Sequence, residues 1–317
     1  MKKAFAALAA CILILSSAGP SQSAGTPQTV SVTHSLATVE IPRDPARVAI
    51  LDMSALDMMD AFGVGSRVTG VPKGSTVSYL AAYINNPGLV NLGNLKEVDM
   101  ESLNSSAPDV IFIGGRLRAE HENLSRIAPT VLVMIDNTKG YMAEFKRNVE
   151  MVASVFGTES KAKELLSGFD SRVDALSKAA RGKTAIVGIV TSGSFNALGK
   201  GGRCSIITNE IGFENLAAPD SGGKGSPAPT HGDSASFEFL LEKNPDYIFV
   251  LDRDSAISAK GSRMAREIME NDIIKKTRAY QDGHIVYLTP DVWYLAEGGI
   301  TATDTMLKDL EAGVLGR

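Results

Sequence analysis

Short apolar runs rich in β-branched residues alternate with amphipathic stretches along most of the chain. Val48-Ala49-Ile50-Leu51-Asp52 is the first such run, Ser54 follows as a helix N-cap, and Leu56, Met59 and Phe62 then recur at helical spacing, which reads as a β–α unit. The same logic predicts strands over 67–71, 110–113 and 131–135, and helices over 77–82, 100–105 and 124–127. Alternation of this kind builds a mostly parallel sheet flanked by helices.

Between Tyr141 and Ala180 the period changes. Phe145, Val149, Val152 and Phe156 form one helical stripe, and Leu165, Leu166, Phe169, Val173 and Leu176 form another beyond Gly157-Thr158. The second stripe contains no proline, so a single connecting helix over about 160–180 is expected. A strand-like run over 185–190 then opens a second α/β series: helices over 206–211 and 237–241, strands over 247–251 and 285–288, and a terminal helix from about Ile300. The expected organisation is an arm over 24–40, loose over 26–35, an α/β lobe over 41–157, a connecting helix over 158–182 and a second α/β lobe over 183–317. The 317 residues suffice for two such lobes.

The two lobes share a repeat. Met100-Glu101-Ser102-Leu103, four residues, then Pro108-Asp109-Val110-Ile111-Phe112-Ile113 aligns without gaps to Phe237-Glu238-Phe239-Leu240, four residues, then Pro245-Asp246-Tyr247-Ile248-Phe249-Val250. Each unit is a helix, a Pro-Asp turn and a buried strand. The same register sets Arg116 against Arg253, just past the carboxyl end of each strand, where open α/β sheets bind ligands. Either arginine alone reads as a solvated charge; in register they suggest a cleft with positive walls.

Composition narrows the class. A net charge of −4 without a basic run sets nucleic acid aside. Lys2 and Lys3, an apolar run over 4–15 and small residues at Ser21, Ser23 and Ala24 form a secretory signal, 1–23, with cleavage expected after Ser23. Leu8-Ala9-Ala10-Cys11 also resembles a lipoprotein box, but the apolar 12–15 follows where a mature lipoprotein turns polar. No later stretch reaches the roughly 18 apolar residues of a membrane span, so a soluble exported protein is expected. Past the signal only Cys204 remains. It excludes an internal disulfide and reads as buried filler rather than as a nucleophile.

The chain carries no nucleophile–base motif and no defensible pair of catalytic carboxylates. Gly199, Gly201 and Gly202 surround Arg203 without the Lys-Ser/Thr of a phosphate loop, so they read as a loop that lets Arg203 approach a ligand. The stretch 220–233, dense in Gly, Ser and Pro, holds Thr230-His231-Gly232 and reads as a mobile surface loop. His34, His121 and His284 are blander: one in the arm, one in a polar helix, one at the start of a strand. The only tryptophan lies in Asp291-Val292-Trp293-Tyr294-Leu295, a context that more often means packing than chemistry.

These segments together resemble the periplasmic siderophore-binding proteins of the enterobactin/petrobactin type. The resemblance is carried by 48–52 with Leu56-Asp57 and Ala61, by Gly114-Gly115-Arg116, by Thr230-His231-Gly232, by 242–250 with Asp252-Arg253, and by Trp293-Tyr294-Leu295-Ala296. It runs from about Pro42 to the C-terminus. It implies a class III, helical-backbone binding protein with a rigid inter-lobe helix and slight closure, performing no reaction. It further implies that Arg116, Arg203 and Arg253 surround an anionic ferric catecholate siderophore, and that His231 and Tyr294 complete the coordination of its iron when the ligand is tetradentate. Glu101 and Glu238, at equivalent repeat positions, would dock the two lobes onto the permease of an ABC importer; compensation of a helix dipole is the plain alternative for each. The expected protein is a periplasmic monomer without an intrinsic cofactor, its ligand an iron(III)–siderophore complex. A haem or cobalamin carrier on the same fold, or a secreted metal-dependent enzyme, are the competing readings.

Overall fold

The computed structural model describes residues 28–199, 201–217, 232–258 and 264–316. The signal segment, Cys11 and His231 lie outside them. Two sheets carry the fold. In the first, five parallel strands run in the order Val90–Asn91, Val68–Val71, Val48–Leu51, Val110–Ile113, Thr130–Leu132. In the second the order is Asp233–Ser234, Ser194–Ala197, Thr184–Thr191, Tyr247–Asp252, Ile285–Leu288, with Glu214–Asn215 pairing the start of Thr184–Thr191. Ser194–Ala197 and Asp233–Ser234 are its antiparallel members, so this sheet is mixed. The chain is thus a two-lobed α/β protein, as the alternation of patterns indicated. The central strands are apolar on both faces, because helices cover both.

The repeat has a structural meaning. In each lobe its strand pairs with the lobe's first strand, Val110 opposite Val48 and Tyr247 opposite Ala185. The Pro-Asp aspartate ties the two together. Asp109 accepts from the amides of Ala46 and Arg47 at 3.0 and 2.9 Å, while Asp246 accepts from the amide and hydroxyl of Thr184 at 2.9 and 3.0 Å. Both repeat helices, Met100–Ser105 and Phe237–Lys243, are capped from the preceding residue, by Asp99 onto Ser102 N and by Ser236 onto Phe239 N.

Three expectations need correction. The N-terminal arm is not loose: Thr29–Thr33 and Thr38–Pro42 form an antiparallel hairpin whose Val32 and Ile41 are buried. His34 closes it, donating Nε2–H to Thr130 O at 3.2 Å, the carbonyl that His121 also reaches at 3.2 Å. Alternating valines and isoleucine around Leu36 were a hairpin signal. The connecting helix is two helices, Glu159–Leu166 and Phe169–Ala180. Gly168, at φ +93°, breaks it without a proline, and the break turns Phe169 inward to an edge-to-face contact with Phe145 at 5.3 Å. Finally, the first N-cap is Asp52, not Ser54: its carboxylate accepts from the amides of Ser54 and Ala55 at 2.9 and 3.0 Å, and the helix runs Met53–Phe62.

The lobes meet through polar contacts as well as apolar ones. The C-terminal helix, Ile300–Leu315, packs on both Phe169–Ala180 and Met53–Phe62. Its first amides, Thr301 and Ala302, both donate at 2.9 Å to Asp57, a fully buried carboxylate of the N-terminal lobe. Tyr79 donates its hydroxyl to the same group. Elsewhere Asp291 accepts from Ser78 N and Oγ, both at 2.7 Å, and Asn137 donates to Gly202 O at 2.9 Å.

Candidate functional site

At the carboxyl end of the first sheet, the loops after Leu51 and Ile113 leave in opposite directions, the topological switch point of such sheets. Gly114 lies against the Asp52 carboxylate so closely that a Cβ there would collide with it. Only glycine lets the chain pass, and two residues later Arg116 is delivered into the cleft. In the second sheet Arg253 follows Tyr247–Asp252 directly, at the N-terminus of the short helix Arg253–Ala256 that Asp252 caps. Arg203 comes from the glycine-rich turn after Ser194–Ala197.

All three guanidiniums converge on one side chain. Tyr294, in the Pro290–Leu295 helix, has the Arg203, Arg116 and Arg253 guanidinium carbons 4.6, 5.4 and 5.8 Å from its ring centroid. Arg116 Nη2 crosses from the other lobe to donate to Tyr294 O at 2.8 Å. Arg203 Nη1 donates to Trp293 O, Tyr294 O and Glu297 Oε2, each at 3.2 Å. Arg253 donates through Nε to the Tyr294 phenol oxygen at 3.1 Å and through Nη1 to Thr191 Oγ1 at 3.1 Å. Three cations stacked round one phenol repel each other. Burial, and then Arg203, pull the basicity of Arg116 below its ordinary value.

Each arginine faces an acid that sequence reasoning passed over. Asp52 draws the Arg116 charge electrostatically. Asp254 lies 3.4 Å from Arg253, and Glu297 holds Arg203. Burial pushes the carboxyls of Asp52 and Glu297 above their usual range, with Ser54 chiefly opposing the shift at Asp52 and Arg203 at Glu297. Acid spacing relative to the arginines carried no recognisable signal, since the pairs are 64, 1 and 94 residues apart. Trp293 is completely buried, its indole N–H donating to Asp309 at 2.8 Å. Cys204 is buried beside this cluster and its thiol is pushed upward by burial, which suits filler and not a nucleophile. Glu101 and Glu238 sit exposed in the first turns of their helices, 15 residues before Arg116 and Arg253 respectively.

Two hollows of about 410 and 460 Å³ lie elsewhere, one between the broken connecting helices and the C-terminal helix, the other beside Asp233 and Phe239. Neither is lined by the three arginines, whose guanidiniums pack on the Tyr294 ring. Among the described residues no group of three or more His, Cys, Asp or Glu side chains converges as a resident metal site. No described helix is long and apolar enough to cross a membrane.

A family model described as periplasmic binding protein matches residues 48–292, which takes in both sheets and every arginine of the cluster. The chain belongs to the periplasmic binding protein family. Within it, the petrobactin-binding protein YclQ of Bacillus subtilis is 32% identical over 289 residues, 90% of this chain and 88% of that one. Its crystal structure matches with a TM-score of 0.81 at 31% identity, covering 90% and 99% of the two chains. The periplasmic catecholate-siderophore binding protein VctP of Vibrio cholerae matches with a TM-score of 0.82 at 30% identity, over 90% of this chain and all of its own. The ferric-anguibactin-binding protein FatB of Vibrio anguillarum is 27% identical over 90% of this chain and 87% of its own. These relatives are binding proteins, and so is this chain: it is not an enzyme.

Proposed function

We propose that the chain captures a ferric catecholate siderophore in the cleft between its lobes and delivers it to an ABC importer for iron uptake. The observation that carries this reading is the ring of three guanidiniums, drawn from both lobes, around the phenol of Tyr294. Catecholate oxygens are hard anionic donors, and Arg116, Arg203 and Arg253 offer permanent charge, planar donor forks and faces that stack on aromatic rings. Three catecholates on iron(III) carry a formal charge of minus three and two carry minus one. A tetradentate ligand leaves two of six coordination sites open. Tyr294 supplies one oxygen for that vacancy and His231, outside the described residues, is the proposed second ligand. The ligand is cargo, and the protein needs no resident cofactor.

A titration panel tests the reading: ferric enterobactin, the ferric linear dimer of its catecholate unit, ferric petrobactin and a ferric hydroxamate, followed by Trp293 fluorescence and visible absorption. Quenching by the catecholates and none by the hydroxamate is expected; selective binding of the hydroxamate overturns the assignment.

The same reading has the protein exported by residues 1–23 and working as a periplasmic monomer. Glu101 and Glu238, exposed at equivalent positions of the two lobes, are the proposed contacts with the permease. Reversing both charges to lysine is expected to abolish siderophore-dependent uptake while the dissociation constant of the purified protein stays within about twofold, because neither residue borders the arginine cluster. Intact uptake in the double variant rules the docking role out.

A further inference from the structure

The three acids that face the three arginines are not equivalent. One oxygen of Asp52 caps the Met53–Phe62 helix through Ser54 and Ala55, and Asp254 is held by the Ser192 amide at 2.6 Å and the Thr191 hydroxyl at 3.2 Å. Those two have backbone or hydroxyl donors of their own and keep them whatever the arginines do. Glu297 differs. Its charge is held chiefly by Arg203, whose Nη1 donates to Oε2 at 3.2 Å, with the Cys204 amide only a secondary support, while its Oε1, like Nε of Arg203, has no hydrogen-bond partner among the described residues. Both side chains of this pair are nearly closed off from solvent, at 15% and 14% exposure. A buried ion pair joined by one long bond, with a stranded donor on one side and a stranded acceptor on the other, recovers little of what its desolvation costs.

Such a pair is poised to exchange partners. An anion entering the cleft offers Arg203 better acceptors for Nη1 and a first acceptor for Nε, but it must do so beside a carboxylate that remains where it is. The repulsion grows with the charge of the ligand. We propose that Glu297 is a specificity-determining residue of this site, a buried counter-charge that competes with the ligand for Arg203 and biases the cleft toward ferric bis-catecholates of low net charge over tris-catecholates. This deepens the catecholate reading and rests on it.

The test compares the unsubstituted protein with Glu297→Gln and Glu297→Asp, titrating each with ferric enterobactin and with the ferric linear dimer at several ionic strengths. Glu297→Gln is expected to improve the affinity for the tris-catecholate relative to the bis-catecholate by about tenfold, an effect that shrinks with added salt, while Glu297→Asp keeps the original preference. Should Gln impair folding, Glu297→Met, of similar volume and without charge, is expected to shift the ratio the same way. An unchanged ratio in the folded neutral variant overturns the role of Glu297 and leaves the catecholate reading standing. Failure of the unsubstituted protein to bind either complex overturns both.

Discussion

Tyr294→Phe is expected to leave the protein folded and the arginine ring in place while weakening binding of a ferric bis-catecholate by at least about a hundredfold. The aromatic face on which Arg203, Arg116 and Arg253 stack, at 4.6 to 5.8 Å, survives the substitution. Only the phenol oxygen disappears, and with it the proposed iron ligand and the acceptor for Arg253 Nε. Arg253 keeps Thr191 and Asp254, so the loss is concentrated at the metal. Removing even an outer partner of a metal ligand costs ten- to a hundredfold, and removing a ligand costs at least the upper figure. A tris-catecholate already saturates its iron, so its affinity is expected to change by no more than about threefold. Fluorescence titration gives both numbers, and the visible charge-transfer band of the bis-catecholate complex reports the coordination directly. A band that does not move when Tyr294 and His231 are both replaced excludes them as ligands.

The largest expected effect on stability lies away from the cleft, at Asp57. This carboxylate is fully buried, and burial pushes its pKa upward against the opposing hydrogen bonds from Tyr79, Thr301 and Ala302. It is the N-terminal cap that the C-terminal helix lacks in its own sequence: the residue before that helix, Gly299, has no side chain, and a Cβ there would strike Asp57. Asp57→Ala strands two amides, that of Ala302 buried and that of Thr301 partly so, and a phenol at the junction of the lobes. A cost of about 3–5 kcal/mol is expected, which for a chain of this size lowers the thermal unfolding midpoint by roughly 6–10 °C. Calorimetry of the variant measures it. A midpoint within about 2 °C of the unsubstituted protein would show that water replaces the carboxylate at no cost, contrary to the burial seen here.

The repeat was the most legible functional feature of the chain. Arg116 and Arg253 stand in register because each follows a strand that a Pro-Asp turn precedes, and the structure shows why that dipeptide recurs: Asp109 and Asp246 each fasten the repeat strand to its neighbour. Arg203 was legible from its glycines. The helix break at Gly168 was missed because proline was taken as the sign of a break, although a glycine at positive φ ends a helix as well. The hairpin over Thr29–Pro42 was missed because each strand is short and half polar, with only two apolar residues apiece, Val30 and Val32 and then Val39 and Ile41, turned inward.

Local pattern by itself determined the two α/β lobes, the order of their elements and the carboxyl-end placement of two arginines, since hydrophobic period and turn chemistry act over a few residues and are written directly in the chain. Tertiary structure alone decided what those arginines face. Glu297 lies 94 residues from Arg203, Asp52 lies 64 from Arg116, and Asp57 meets Thr301 at a separation of 244. Which acid tempers which cation depends on how each lobe folds back on itself, and which carboxylate caps the C-terminal helix depends on how the two lobes meet. Burial then turns those approaches into forces that no exposed pair would feel.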